Sequence, residues 1–547
     1  VSRITKSWTL LPNSAIINKC SLINVNMWSK QALQELAREK FRDYKLIVVS
    51  NREPYIHQYQ GGRIECLQPA SGMATALDPL MRACGGVWVA HGSGDADRHA
   101  PGAMGRTPVP PEAPLYMLRR VWLSKELENG YYYGLANGGL WPLCHVAFRR
   151  PVFHREHWEA YRRVNEIFAQ AVLEEAGDDP AFVFIQDYHL GLLPRLLKNG
   201  NPSLVVAQFW HIPWPNRETF RAFPWKEDFL DGLLGNDLLG FHLRYHCQNF
   251  LDTVDRAIEA RVDQERYEVT LRGKVTAVRP FPISIDFAEH ASTAAGAAVD
   301  NEMEHWRRAL DLGQMRIGLG IDRIDYTKGI PERLRSLDLF LERCPEHRGR
   351  LVFVQIGVPS RLRVAEYKRL GEEIEALVSE INTKWSSGAW RPILFLKTHL
   401  GPAQMMALHR LADFCMVSSL HDGMNLVAKE YVASRFDENG MLILSEFTGA
   451  ARELTDAILV NPFDLDTCAD AIRRALELPP EERRRRMRRM RAVVADNNVY
   501  RWAAKILAAL ARIEAPQPRP PRMDAAARQN GGQLCAGVAT SARPACT

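Results

Sequence analysis

Two Rossmann-like α/β domains, with parallel sheets facing one another across a cleft, are the fold predicted by this chain of 547 residues. Three observations predict it. Continuously apolar, β-rich runs recur in two series, helix-length segments separate them, and charged or polar residues follow several of the runs. Continuous rather than alternating apolarity marks strands buried on both faces, and the intervening helices supply that cover.

The first series comprises KLIVVS (45–50), VWVAH (87–91), FVFIQ (182–186), LVVAQFW (204–210), DLLGF (237–241) and VRPFPI (278–283). The second comprises MRIGLGI (315–321), LVFVQIGV (351–358), PILFLKTH (392–399), FCMVSSL (414–420) and MLILSEF (441–447). A polar leader over 1–44 carries one helix, WSKQALQELAREKF, and the two domains are expected over 45–287 and 288–498. AEHASTAAGAAVD, residues 288–300, reads as a linker or a loosely held helix start. A closing helix, VYRWAAKILAALARI, falls within 499–514 and is expected to pack back across the domains. The Pro-, Arg- and Ala-rich tail over 515–547 is expected to be disordered. Open α/β sheets bind ligands beyond the strands' carboxyl ends, which places the site in the interdomain cleft.

Composition narrows the function classes. Apolar residues at 46% and charged residues at 24% fit a soluble globular protein, and the length exceeds a single core. The net charge of +6 is local, because seven arginines crowd into 483–491 and the remainder is close to neutral. A solvated helix face explains such a run; no recognisable nucleic-acid motif accompanies it, so no nucleic-acid partner is expected. The ten cysteines include no CxxC pair, and several, such as Cys415 in DFCMV, sit inside apolar runs. That usage fits free thiols in a reducing compartment. No apolar stretch reaches the ~18 residues of a membrane span, and the first residues of this sequence lack the continuous apolar core and small-residue cleavage site expected of a secretory signal. The expected setting is cytoplasmic, without a membrane partner; a homo-oligomer is compatible with the sequence.

The most informative motif is HDGMNLVAKE, residues 421–430, which follows the apolar run ADFCMVSSL and reads as a helix start. The backbone N–H groups of Asn425, Leu426 and Val427 would form an anion site at that terminus. Asp422 and Glu430 are carboxylates suited to sugar hydroxyls, and Lys429 either adds charge nearby or lies on the solvent face. Anion-binding backbone beside two such carboxylates suits a nucleotide sugar; an ordinary capped helix is the plainer alternative. GIDRIDYTKGIPERL places Arg323 and Lys328 in one loop, where two cations can clamp a diphosphate and stabilise it as a leaving group. The alternative there is a salt-bridged pair serving Asp322 or Asp325. Arg361 follows another strand end in IGVPSRLRV, and Arg52 does so in VVSNREP. Asp187 and His189, in IQDYHLGLLP, and His211, in WHIPWPNRE, hold equivalent positions. Tyr132 and Trp141, in ENGYYYGLANGGLWPLCH, can line a sugar pocket or pack a core.

In order along the chain, VVSNR, QDYHL, HIPWP, DLLGFH, DRIDYTKG, PSR, DGMNLVAKEYV and SEFTGAARELT resemble the trehalose-6-phosphate synthase family of retaining glycosyltransferases. The resemblance implies a GT-B fold, with a nucleotide-sugar donor held mainly by the C-terminal domain and a phosphorylated acceptor mainly by the N-terminal one. Carried over, Arg323 and Lys328 meet the donor diphosphate with the backbone of Asn425 to Val427, and Glu430 holds the ribose. Asp422 and His211 contact the transferred glucose, and Asp187 orients sugar hydroxyls; Arg323, Lys328, Asp187 and His211 form the catalytic set. Arg52, Tyr132, Trp141 and Arg361 receive the acceptor phosphate. No cofactor and no metal are implied.

Three positions depart from the family pattern. PASGMATAL has Ser71, Gly72 and Met73 where a Gly-Gly-Leu loop is usual near the donor phosphates; Gly72 still permits close backbone approach. His91 replaces a tryptophan that faces the acceptor sugar, and His421 replaces an arginine before DGMN. The expected reaction moves glucose from UDP-glucose to glucose-6-phosphate, forming α,α-trehalose-6-phosphate, with stress protection as its use by analogy. Glycerol-3-phosphate as acceptor and a non-catalytic sugar-phosphate sensor are the alternatives. FDLDTC, residues 463–468, carries the DxD of a fused phosphatase, but a turn into a capped helix accounts for it and no phosphatase activity is expected.

Overall fold

The computed structural model describes residues 28–40, 42–68, 72–100, 105–361 and 363–513. The first part of the leader, Ser71 and the tail over 515–547 lie outside the described residues.

The N-terminal sheet has ten strands, and seven run parallel in the order Lys274–Pro280, Leu238–Phe241, Val205–Phe209, Ala181–Gln186, Lys45–Arg52, Val87–His91 and Tyr116–Val121. The sheet is mixed rather than wholly parallel. Arg261–Asp263 and Glu268–Leu271 extend one edge antiparallel, and Arg106–Val109 closes the other. Arg106–Val109 alternates exposed and buried positions and contains Pro108, a pattern confined to edges, so it lacks the apolar continuity of a central strand. The run expected over 278–283 forms its strand earlier, at Lys274–Pro280, because Pro280 and Pro282 have no N–H for the ladder.

The C-terminal sheet is wholly parallel. In order of appearance its strands are Arg316–Arg323, Leu351–Val358, Ile393–Leu396, Phe414–Val417, Met441–Ser445 and Ile458–Val460. Across the sheet the third, second and first lie beside the fourth, fifth and sixth. That is the doubly wound order, and its direction reverses between Arg316–Arg323 and Phe414–Val417, where a ligand crevice opens.

Residues 288–300 are not a linker. They belong to helices Phe287–Ala294 and Ala297–Ala309, and the first is capped by Asp286 accepting from Glu289 N at 3.1 Å. Ala294 and Val299 are fully buried, so small side chains here serve close packing rather than flexibility. The closing helix, Val499–Leu510, seats Trp502 perpendicular to Phe209 of the N-terminal sheet at 5.2 Å and bonds Val499 N to Ile285 O, just beyond the strand Lys274–Pro280, at 3.0 Å.

The arginine run lies on helix Pro480–Asp496 and divides by face. Arg484, Arg485, Arg486, Arg488 and Arg489 pair with carboxylates. Arg483 is buried against the Leu476 and Leu478 carbonyls, while Arg491 donates to the carbonyls of Val432 and Ala433 near the end of helix Leu426–Ser434. The latter is a favourable place for a cation. Asp464 of FDLDTC caps helix Leu465–Glu477, accepting from Thr467 N at 3.0 Å. The described cysteines are free thiols, five of them buried. No helix among the described residues is long and apolar enough to cross a membrane.

Candidate active site

The loops after Arg316–Arg323 and Phe414–Val417 meet at the reversal point of the C-terminal sheet. Lys328 ends the turn Tyr326–Lys328, which Asp325 caps by accepting from Thr327 N at 3.0 Å. Its ammonium lies 2.5 Å from Asp422 Oδ2, and Asn425 Nδ2 donates to the same oxygen at 3.2 Å. Burial alone would raise the Asp422 carboxyl, but the Lys328 charge and these bonds outweigh it and hold it ionised, well below the usual range. Asn425 adopts φ 87°, an uncommon backbone for a residue with a side chain, and its Oδ1 accepts from Ala428 N at 3.1 Å. Helix Leu426–Ser434 therefore starts at Leu426, where the first N–H groups, including that of Val427, have no intrahelical acceptor. One turn in, burial raises the Glu430 carboxyl to about 7.

Lys429 fits neither expectation. It is 1% exposed, bonded to Glu453 Oε2 at 2.5 Å and to Ile283 O at 2.8 Å, so it ties the helix to the preceding chain instead of facing a ligand or solvent. Of the salt-bridge alternative for Arg323 and Lys328, to Asp322 or Asp325, the structure shows one part: Arg323 pairs with Asp325, while Lys328 pairs with Asp422. Asp322 belongs to Arg333 at 2.7 Å, whereas Arg323 stands 3.9 Å from Asp325 with its side chain 37% exposed.

Arg52 ends its strand and donates to Tyr132 Oη at 3.0 Å. Tyr132 lies on a wide, π-type helix, Asn129–Leu140, stacked on His189 at 5.7 Å. Trp141 follows that helix, and two cations of the C-terminal half lie over its ring: Arg361 at 4.0 Å and Arg323 at 5.5 Å. Arg361 also donates to Asp325 at 3.2 Å and to Tyr367 Oη at 2.5 Å, from a backbone with φ 49°. Burial raises the Tyr132 phenol, but Arg52, Arg361 and Arg323 together outweigh it and bring it down to about 7. Such an excess of positive charge calls for an anion. Around it Trp141 Nε1, His189 Nε2 and Arg361 Nε are buried without a hydrogen-bond partner among the described residues, a rarity that a polar ligand would resolve.

Asp187 stands at the end of Ala181–Gln186 with φ 70°, another strained strand end. Its Oδ1 accepts from His211 N at 3.1 Å, and burial raises its carboxyl to about 7. Burial likewise lowers His211 to about 3, so its ring is neutral, with Nε2 2.9 Å from Gln186 Oε1. The two halves touch here: a Cβ on Gly423 would stand 2.2 Å from His211 O, so only glycine lets the Asp422 loop approach this close. His421 places Nδ1 2.8 Å from the carbonyl of His145, and burial lowers its pKa, so it forms a neutral contact across the cleft. His91 ends its strand, half-buried, its pKa also lowered by burial. Gly72 begins helix Gly72–Cys84.

The structure thus gathers Arg52, Tyr132, Trp141, Arg323 and Arg361 at one wall and Lys328, Asp422, Asn425 and the Leu426–Val427 backbone at the adjoining loop. Tyr367 and Asn137 were not legible in the sequence, because their partners Arg361, Asp325 and Tyr188 come together only in the fold. Among the described residues the one group spaced to hold a metal, Glu346, His347 and Glu477, precedes Leu351–Val358 or ends Leu465–Glu477, at the opposite end of the sheet.

The model of glycosyltransferase family 20 matches residues 44–512. The chain belongs to glycosyltransferase family 20. It is 40% identical over 477 residues to a trehalose-6-phosphate synthase of Mycolicibacterium vanbaalenii, covering 86% of this chain and 96% of the relative. An E. coli structure described as trehalose-6-phosphate bound with UDP-2-fluoro glucose superposes with TM-score 0.77 at 31% identity, over 86% of this chain and all of that one. An α,α-trehalose-phosphate synthase (UDP-forming) from Burkholderia xenovorans, in complex with glucose-6-phosphate, gives TM-score 0.77 at 29% identity, over 85% and 99%. As a family 20 member the chain is a glycosyltransferase of GT-B architecture, and the two sheets described above are its halves.

Proposed function

We propose that this family 20 member transfers glucose from UDP-glucose to glucose-6-phosphate, releasing UDP and α,α-trehalose-6-phosphate. The observation that carries it is Trp141 of the N-terminal half lying under both Arg361 and Arg323 of the C-terminal half. A phosphate-bearing acceptor on that wall lies beside the cations that would take the donor diphosphate. The relatives named for this reaction, and the solved complexes with a UDP-glucose analogue and with glucose-6-phosphate, support the same pair of substrates.

In this reading Arg323, Lys328 and the backbone of Asn425 to Val427 hold the diphosphate, with Gly72 near its phosphates. Glu430 receives the ribose, Asp422 and His211 the glucose hydroxyls, and Asp187 the hydroxyls between the sugars. Arg52, Tyr132, Trp141 and Arg361 hold the acceptor phosphate. The acceptor hydroxyl forms its bond to the anomeric carbon on the face from which the β-phosphate oxygen departs, and that oxygen takes the proton. No side chain is the nucleophile, and configuration is retained. The two cations stabilise charge that develops on the leaving group, in place of a metal. Turnover should therefore be unchanged by a chelator. Free thiols among the described cysteines support a cytoplasmic setting in this reading. The test is the product: NMR of purified material should show two α-linked glucose units with one phosphate, and a β-linkage would exclude this mechanism.

Donor affinity should depend on pH. A Glu430 pKa near 7 leaves the carboxyl increasingly neutral below neutrality, and only the ionised form accepts two ribose hydroxyls fully. Ionisation accompanies binding, so affinity rises with pH through 7 and then levels. UDP binding by calorimetry should weaken several-fold from pH 8 to pH 6, and Glu430→Gln should flatten that dependence. An equally steep profile in the variant would remove Glu430 from the donor site.

A further inference from the structure

Tyr132 and Trp141 are nine residues apart. On an α-helix of 3.6 residues per turn they would project to opposite sides. Asn129–Leu140 is instead wound as a π-helix, in which i→i+5 bonding gives about 4.4 residues per turn, so nine residues close roughly two turns. Both side chains then face the cleft. Tyr132 feels Arg361 and Arg323, the same two cations that cover Trp141. The wide winding is thus what assembles the wall.

Such winding is rare and needs support. Asn137 supplies it from within. It is 2% exposed, and its Nδ2 donates to Tyr132 O at 2.7 Å, reinforcing the five-residue step. Its Oδ1 accepts from Tyr188 Oη at 3.0 Å, and Tyr188 directly follows Asp187. A parallel tie, Tyr131 Oη to Asn51 Oδ1 at 3.1 Å, anchors the helix beside Arg52. From outside, Gly134 lets helix Arg155–Ala176 approach: a Cβ there would stand 2.5 Å from the His157 ring.

We propose that Asn137 is a positioning residue for the acceptor site, latching the π-helical turn so that Tyr132 and Trp141 present one phosphate-binding face and tying that face to the Asp187 loop. The proposal rests on the acceptor reading given above. Asn137→Leu keeps the branching at Cγ and removes both bonds. It should raise the KM for glucose-6-phosphate about tenfold or more and reduce discrimination against unphosphorylated glucose, while UDP affinity stays within twofold. Gly134→Ala should do the same by displacing the helix, and adding His157→Ala should restore the KM by removing the clash. Tyr188→Phe, a milder change, should raise the acceptor KM by a smaller factor.

A readout independent of turnover is the tyrosinate absorbance that Tyr132→Phe abolishes near neutral pH; in Asn137→Leu that titration should move upward as Tyr132 leaves the arginines. Wild-type turnover with glucose-6-phosphate tests the acceptor reading by itself, whereas the ratio of variant to wild type and the Tyr132 titration test Asn137. An unchanged acceptor KM and Tyr132 titration in folded Asn137→Leu would overturn the proposal, as would equal losses of donor and acceptor affinity. Should Asn137→Leu fail to fold, an unchanged KM in Tyr188→Phe together with no rescue of Gly134→Ala would overturn it equally.

Discussion

Arg323→Ala and Lys328→Ala should each lower kcat by about 10²–10³-fold, a loss of roughly 3–4 kcal/mol of transition-state stabilisation. The reasoning starts from charge. Breaking the glucosyl–phosphate bond leaves an additional negative charge on the diphosphate, and in the proposed reading these strand-end cations are the groups that meet it. Arg323 is the less committed in the folded protein, at 3.9 Å from Asp325 and partly exposed, so its removal should act mainly on the reaction. Lys328 is bound to Asp422, and its loss leaves that buried carboxylate with Asn425 and Ser419 alone. Lys328→Ala should therefore also raise the Asp422 pKa and lower thermal stability. UDP calorimetry beside kcat separates the effects, and near-normal turnover in both variants would refute the leaving-group role.

Arg361→Ala should act differently. A charge-assisted hydrogen bond to phosphate contributes about 1.5–3 kcal/mol, so the glucose-6-phosphate KM should rise roughly 10- to 100-fold. The KM for unphosphorylated glucose should change little. Arg361 also neutralises the fully buried Asp325, and stripping a buried pair of one partner costs about 3–5 kcal/mol of stability. Arg361→Lys guards against that ambiguity: it keeps the charge but loses the fork and the flat face stacked on Trp141. An acceptor KM unaltered in a folded Arg361→Lys enzyme would exclude the phosphate-binding role.

Much of the fold is written in apolar continuity. The central strands and the loops carrying Arg323, Arg361, Asp187 and Asp422 are legible because buried parallel strands cannot alternate, and the residues after them must face the cleft. Edge strands such as Arg106–Val109 are not, since half their positions face water. The small residues of 288–300 suggest slack, yet close packing uses the same alanines. In the site, HDGMN announces its helix start, but Lys429 reads as available only until Glu453, 24 residues away, proves to neutralise it. The π-type turn escapes any α-helical periodicity, and with it the reason Tyr132 and Trp141 act together. His421 has no visible partner in sequence because its acceptor, the His145 carbonyl, lies in the other half.

The central claim is that one cleft joins a nucleotide-sugar donor to an acceptor chosen for its phosphate. It is tested most directly by UDP release from UDP-glucose, without added metal, offering glucose-6-phosphate, glycerol-3-phosphate and glucose separately. Rapid release with glucose-6-phosphate, little with glucose and little with glycerol-3-phosphate is the predicted result. Release with glycerol-3-phosphate alone would leave the donor site standing but assign the His91 end of the cleft to a smaller acceptor. Release with none of the three, in a protein that binds UDP, would contradict the account.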